Sequence, residues 1–462
     1  MLKFASPAAT RTTWAAEDKK LELQMGGSEI AIVGGGIAGL TAALRIGAAG
    51  GRPILFEAAP EVGGRAQTRV IDGFCLNQGP HALYAGGAFH ATLREFKIPF
   101  GGGGPDLPNG LALWGRVPYP LPIRRSNRYV EPLGESAAEA LAAFFEQAAA
   151  DDDLGRGVAL RDAIGSLPVQ ARTVVEAFVR LSTYVHAPGE LDAKSALDQL
   201  RLSFAGTIYV DGGWRVLVER MLGAATAAGA VIRSSERVMR VRIREDACWI
   251  DLRGGQTERF AAVILTVSPK RAAAVLEDSA QLKTMAANAR PVRLMSLDLA
   301  VATLPRTDAN FALGMDAPTY LSVHSAVSKL APAGGALVHL ARYLAPDEQS
   351  SPDHFEGLRQ IADTLHPGWR EHLLHEQRLS AATVAHDFPR WTDGGRRAAY
   401  FLDDAPGVFL AGDWVGEKGM LADAAVASAQ DAAAAAMERV QNRSTCHVPG
   451  QLPIATTGTL SD

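Results

Sequence analysis

The run IAIVGGGIAGLTAAL, starting at Ile30, constrains this chain more than any other feature. A short apolar strand, Glu29 to Val33, leads into G-x-G-x-x-G at Gly34, Gly36 and Gly39, and a helical apolar pattern runs from Ile37 to Ala48. Each glycine has its own physical task. Gly34 permits the tight turn, Gly36 lets the backbone approach a pyrophosphate, and Gly39 allows the helix to pack closely on the strand. The helix start, at Ile37 and Ala38, offers free N–H groups and a positive dipole end to phosphate. The next strand, Pro53 to Phe56, ends at Glu57, 18 residues beyond Gly39. A carboxylate there accepts hydrogen bonds from ribose hydroxyls and repels a 2′-phosphate, which disfavours NADP.

The totals narrow the setting. A chain of 462 residues, 47% hydrophobic, has room for two or three domain-sized units. Its net charge of -4 speaks against a nucleic-acid partner. Cys75, Cys248 and Cys446 are too scattered for a disulfide framework or a cysteine zinc site, and point to isolated thiols in a reducing cytoplasm. No apolar run is long enough for an integral membrane segment. Residues 1–28 read as a flexible extension and 441–462 as a flexible tail.

Along the chain, the Gly- and Pro-rich stretch from Pro99 to Gly134 reads as loop. Ser136 to Ala150 and Leu160 to Arg180 read as helices, as does Gly213 to Ala228. Val231 to Arg233, Val238 to Arg242 and Ala262 to Val267 read as strands. Further β-rich stretches are Val292 to Thr303, Thr319 to Ser325, Ala336 to Leu344 and Arg378 to His386. A strand at Gly407 to Ala411 and an Ala-rich helix from Leu421 to Met437 close the ordered chain. Nucleotide-binding pieces therefore lie at the start, middle and end, with other blocks inserted.

A second glycine motif, Gly63-Gly64-Arg65, follows Glu57-Ala58 in FEAAPEVGGRAQT. With Leu76 to His81 (LNQGPH), Gly212-Gly213, Val238, AVILTVSP and VFLAGDWVGEKGMLADAAVASAQDAA, the chain resembles the flavin-containing amine oxidase superfamily, which includes protoporphyrinogen oxidases and phytoene-desaturase-like enzymes. The resemblance spans Glu29 to Val440. It implies an α/β fold: a Rossmann-type FAD-binding domain (GR2-like) from residues 29–98, 207–275 and 405–440. An interleaved α+β substrate domain with a mixed or antiparallel sheet would come from 99–206 and 276–404. It also implies non-covalent FAD, a small-molecule substrate, and molecular oxygen or another electron acceptor. By resemblance Gly64 and Arg65 meet the pyrophosphate or flavin oxygens, Gly79, Pro80 and His81 pass beside the isoalloxazine, and Val238 pairs with the adenine edge. Gly412 and Asp413 meet the ribityl and pyrophosphate. The helix start at Leu421 and Ala422 faces the flavin O2/N1 side.

The departures bear on the substrate. Amine oxidases of this superfamily often carry a Tyr of an aromatic cage where this chain has Leu421, and no Cys lies between Cys248 and Cys446 to tether a flavin. We therefore expect dehydrogenation of a C–C or C–N bond in a mid-sized, largely apolar metabolite. An amine oxidase forming an imine and hydrogen peroxide, a redox-neutral flavin isomerase, and a non-catalytic FAD-stabilised partner protein are the alternatives. The catalytic residue is open, with His81 and Trp391 as candidates against helix-capping or core roles. Tyr184, His186 and Tyr400 are weaker candidates. His372 and His375 read as a solvated helix face rather than a metal pair, and no metal motif is present.

Overall fold

The computed structural model describes residues 29–123 and 130–445. Cys446, the N-terminal extension and most of the expected tail lie outside the described residues. The first sheet is parallel and five-stranded, in the order Val231–Arg233, Arg52–Phe56, Glu29–Val33, Ala262–Leu265, Val408–Leu410. Its strands come from the start, middle and end of the chain. Side chains alternate across a strand, so Ile30 and Ile32 pack on one face while Ala31 and Val33 pack on the other. Both faces are buried, as a parallel sheet requires. On the first face lie the helices Ile37–Ala48, Arg215–Ala227 and Leu421–Thr445. Ala429, Ala432, Ala433 and Ala436 keep the last helix thin enough to approach the first. A three-stranded antiparallel sheet, Val238–Arg244, Ala247–Leu252 and Thr257–Phe260, contributes Ile250 and Phe260 to the core on the other face.

The second large sheet has seven strands, in the order Leu373–Ala385, Val292–Val301, Ala336–Leu344, Thr319–Val323, Phe311–Gly314, Leu111–Trp114, Val117–Pro120. It is antiparallel except for Phe311–Gly314 beside Leu111–Trp114. Leu294 and Tyr343 face the helices Glu135–Ala150, Val169–Thr183 and Ala193–Ala205. Met295, Leu297 and Leu299 face the helix Pro352–Leu365. The architecture is thus a Rossmann-type parallel sheet joined to an α+β unit with a mixed sheet.

Three local expectations are corrected. Part of the stretch expected to be loop, Leu111 to Pro120, is a β-hairpin at the sheet edge. VPYP can form a strand there because an outermost strand need not donate every N–H. The helix expected over Leu160 to Arg180 is two helices, Leu160–Ala163 and Val169–Thr183. Gly165 and Pro168 break it, since proline and the residue before it disfavour a continuous helix. EHLLHE is not a helix face. His372 closes a 3-10 turn, and His375 lies on a strand with its Nε2 2.8 Å from Asp72. Among the described residues, no helix is long and apolar enough to cross a membrane.

Candidate functional site

A cavity of about 820 Å³ runs along the carboxyl end of the parallel sheet. Such an edge is where nucleotide ligands bind in open α/β folds. Gly34, Gly36, Ile37 and Ala38 line it, with Glu57, Gly64 and Arg65 beside them. The helix Ile37–Ala48 has no side-chain cap at Gly36, and its first backbone bond runs from Leu40 N–H to Gly36 O. The amides of its first turn thus have no intrahelical acceptor. A Cβ at Gly36 would meet nothing within 4 Å, so that position borders open space. An anion cradle of free amides and a bare backbone fits the pyrophosphate of a dinucleotide.

Glu57 is held in place by its own backbone neighbourhood. Gly35 N–H donates to Oε2 and Ala59 N–H to Oε1, each at 2.7 Å. The carboxylate is thereby aimed rather than floppy, and keeps acceptor capacity for a ribose. Glu57→Ala should weaken FAD binding by about 1.5–3 kcal/mol, the range for hydrogen bonds to a charged group. Dialysis followed by flavin quantitation checks this; retention equal to that of the parent protein would remove Glu57 from the ribose site.

Opposite this cradle, Arg65, Asp413 and His386 lock three distant segments together. Arg65 Nη1 lies 2.6 Å from Asp413 Oδ2 and donates to Val384 O at 2.7 Å. Asp413 Oδ1 accepts from His386 Nδ1 at 3.0 Å and from His386 N–H at 3.2 Å. Burial alone would raise the Asp413 carboxyl, but Arg65 and His386 outweigh it and hold it well below the usual carboxylate range. The helix Leu421–Thr445 starts beside this lock, and Leu421 and Ala422 both line the cavity. Asp423 and Ala424 N–H donate to Met420 O, so the Leu421 and Ala422 amides precede the first intrahelical bond. Asp423, unremarked in the sequence, lines the cavity and accepts from Phe89 N–H at 2.8 Å. Burial pushes its carboxyl up to about 6 against that N–H.

The other named residues divide. Pro80 and His81 line the cavity. His81 Nδ1 lies 2.9 Å from Gly79 O and Nε2 3.1 Å from Arg65 O, so both ring nitrogens sit against backbone and neither is free. Burial lowers its pKa. The ring therefore braces the turn that carries it, and is not arranged as a base. Gly39, Ala58, Gly79 and Val238 are not among the lining residues. Gly39 sits under the turn, where an added Cβ would lie 1.9 Å from Gly34 O. Val238 O accepts from Arg271, which does line the cavity. Trp391 is misplaced for catalysis: it is 39% exposed, and its Nε1–H donates to Gly189 O away from the lining. Tyr400 packs against Phe401 and is likewise outside it. Tyr184 does line the cavity, and its hydroxyl donates to Pro80 O at 3.2 Å. His186 is outside the lining, with burial lowering its pKa to about 4.

Ala82, Tyr84 and Tyr184 also border a second, narrow chamber on the side of the seven-stranded sheet, with about 30 Å³ of open space. That is room for about one water. Its walls are mostly aromatic: Phe178, Phe204, Phe311, Tyr209 and Tyr320, with His324 among them. Among the described residues, no Asp, Glu, Lys or Arg lines it. No local motif marked Tyr84, Tyr209, Tyr320 or His324. They meet only because the strands Leu83–Tyr84, Thr207–Val210 and Thr319–Val323 converge here.

The sequence model described as flavin containing amine oxidoreductase matches residues 37–437 of this chain. A 4,4'-diapophytoene desaturase (4,4'-diaponeurosporene-forming) from Staphylococcus haemolyticus is 38% identical over 66 residues, which is 14% of this chain and 13% of that protein. An oxidoreductase from Methanosarcina mazei superposes with a TM-score of 0.69 at 17% identity, covering 87% of this chain and 99% of the other. A triple mutant of putrescine oxidase superposes with a TM-score of 0.67 at 16% identity, covering 89% and 99%. At these identities the structural likenesses concern the fold.

Proposed function

The chain belongs to the flavin containing amine oxidoreductase family, and from that premise we propose that it dehydrogenates a C–C or C–N bond of a mid-sized, neutral, largely apolar substrate. It is an FAD-dependent oxidoreductase; a flavin held against Gly36, Glu57, Arg65 and Asp413 would supply the two-electron acceptor. The observation that carries the substrate reading is the uncharged wall of the chamber beside the cavity. A substrate ammonium entering there would be desolvated with no carboxylate on that wall among the described residues to balance it, which costs several kcal/mol. Leu421 adds bulk to the cavity where a ring face would attract a cation. The protein's own contribution is to hold the substrate in a dry, shaped space, where Tyr84 and Tyr184 border both cavity and chamber. Four tyrosines in the chamber favour one second reading, an amine oxidase whose cage is built from these rings rather than from position 421.

Anaerobic flavin bleaching across amines, allylic compounds and other apolar metabolites tests this. Neutral apolar compounds should bleach the flavin, and small primary amines should not. Efficient turnover of benzylamine-like or polyamine substrates, with no change of preference in Leu421→Tyr, would establish the amine oxidase instead. The terminal acceptor is molecular oxygen or another oxidant, read from reoxidation in air.

We further propose that FAD is held non-covalently. Among the described residues, no cysteine lines the cavity, and Cys75 and Cys248 are buried elsewhere. Purified protein should be yellow, and acid or heat denaturation should release free FAD to the supernatant. Yellow colour that stays with the precipitated chain would show a covalent link.

A further inference from the structure

Most ionisable side chains that line the cavity are already committed. Glu57 takes a backbone N–H on each oxygen, and Asp413 takes Arg65 on one oxygen and His386 on the other. Both ring nitrogens of His81 sit against carbonyls. The hydroxyls of Tyr84 and Tyr184 donate to Ser182 O and Pro80 O. Arginine has no acceptor to offer. Among the described residues of the lining, two ionisable groups keep an acceptor atom without a hydrogen bond: Asp423 at Oδ2 and His386 at Nε2. His386 is tied into the Arg65–Asp413 lock, opposite the phosphate cradle. Asp423 stands apart from that lock, two residues past Leu421 and bonded to Phe89, both of which line the cavity.

The surroundings of Asp423 suit a group that takes and gives back a proton. The helix Ala88–Glu95 has no side-chain cap of its own at Gly87, and Asp423 Oδ1 supplies one by accepting from Phe89 N–H. That cap uses one oxygen. A carboxyl protonated on Oδ2 still accepts at Oδ1, so the proton can come and go without loosening the support. Gly87 makes the room. A Cβ there would lie 2.5 Å from Oδ1 and closer still to Oδ2, although the Gly87 φ of -69° is open to any residue. Glycine at that position therefore serves the carboxyl rather than the backbone. Burial, against the Phe89 N–H, raises Asp423 to about 6, close to the range where a general base is effective. Tyr84, the ionisable neighbour that feels its charge, stays protonated because burial raises its hydroxyl well above the ordinary range.

We propose that Asp423 is the catalytic base of the cavity, and that its Oδ2 takes the proton the substrate gives up as it is oxidised. The proposal rests on the dehydrogenation reading above. One substrate hydrogen leaves carbon with its electron pair, for which the flavin of that reading is the acceptor. The bond from the neighbouring carbon or nitrogen to its own hydrogen breaks, and its electron pair becomes the new double bond. The freed proton bonds to Asp423 Oδ2. The carboxylate becomes a neutral acid, so this proton transfer removes a buried charge instead of creating one. Oδ1 keeps its hydrogen bond to Phe89 N–H throughout.

Asp423→Asn separates the base from the cap, because an Asn side-chain oxygen still accepts from Phe89 N–H. With flavin content and melting temperature matching the parent, anaerobic reduction of the flavin by substrate should slow about 100-fold, the low end of acid–base catalysis. Reduction by dithionite should be unchanged. In the parent the substrate rate should climb as the pH rises through about 6 and then level off, since the base must be ionised; the variant should lose that step. An infrared pH titration of the flavin-loaded protein reads the same group without turnover. A protonated-carboxyl band should fade over that interval and be missing from Asp423→Asn. Gly87→Ala crowds the carboxyl while keeping it, and should slow reduction likewise if Asp423→Asn does not fold. A variant rate equal to that of the parent, or an Asp423 carboxyl that keeps one state across the interval, overturns the proposal while leaving the dehydrogenation reading in place. If no compound reduces the flavin of the parent protein, that reading itself fails and the role of Asp423 falls with it.

Discussion

Gly39→Ala should yield little folded protein, whereas Gly36→Ala should yield folded protein that has lost its flavin. The two glycines are three residues apart in one motif, yet they meet different surroundings. At Gly39 an added methyl would lie 1.9 Å from Gly34 O and 3.0 Å from Thr266 Oγ1. The first of these is backbone of the turn itself, so relief requires the helix Ile37–Ala48 to move off the sheet. Overpacking costs about 1–3 kcal/mol, and a clash with backbone falls at or above the upper end. At Gly36 the methyl would meet nothing within 4 Å, and φ of -78° is open to any residue. The fold is indifferent to that methyl; a pyrophosphate against the backbone is not. Circular dichroism melts and flavin-to-protein ratios for both variants make the test. A Gly36→Ala protein with full flavin content would show that phosphate does not approach there, and a Gly39→Ala protein with an unchanged melt would refute the packing account.

Asp413→Ala should lower stability by about 1.5–3 kcal/mol and deplete the flavin. Asp413 is 3% exposed and receives both Arg65 and His386. Removing it leaves those donors without their acceptor, a loss in the range for hydrogen bonds to charged groups. Arg65 is itself 42% exposed, which keeps the expected loss below that of a fully buried pair. The pH dependence has a definite sign. Because the carboxyl pKa is lower in the folded protein than in the unfolded chain, its contribution is complete above the unfolded pKa, near 4. It fades as the pH falls further. Urea titrations of parent and variant should therefore differ by a constant amount from pH 6 to pH 8 and converge in acid. A difference that widens on acidification would contradict the ion-pair account.

Much of the cavity's backbone framework was legible in the linear sequence, and the reason is locality. A turn, a helix start and a strand end are set by residues a few positions apart, so Gly34, Gly36, Glu57 and Gly64 announce themselves by spacing. The short parallel strands at Glu29–Val33 and Ala262–Leu265 were equally plain, because a strand buried on both faces is a nearly continuous apolar run. The misjudged stretches had conflicting local signals. Two prolines between Val117 and Pro120 argued for loop, and only the outermost place in the sheet makes them tolerable. EHLLHE has helical spacing, but the neighbouring strand Val292–Val301 supplies hydrogen bonds that draw Leu373 onward into the sheet. Trp391 looked like a pocket residue by its position before the last strand, and its tie to Gly189 carries it elsewhere.

By itself the sequence determined the strand, glycine turn and helix whose backbone borders the cavity. Tertiary structure alone decided which polar and aromatic side chains meet inside the seven-stranded sheet and beside the cavity. Asp298, His339 and Ser322 are far apart in the chain and carry no motif, yet strand register sets them side by side. Tyr84 and Tyr184 reach the cavity from separate segments and are fixed by backbone carbonyls of others, Ser182 and Pro80. Register and packing are sums over many non-local contacts, and a one-residue slip would turn every one of those strand side chains to the opposite face.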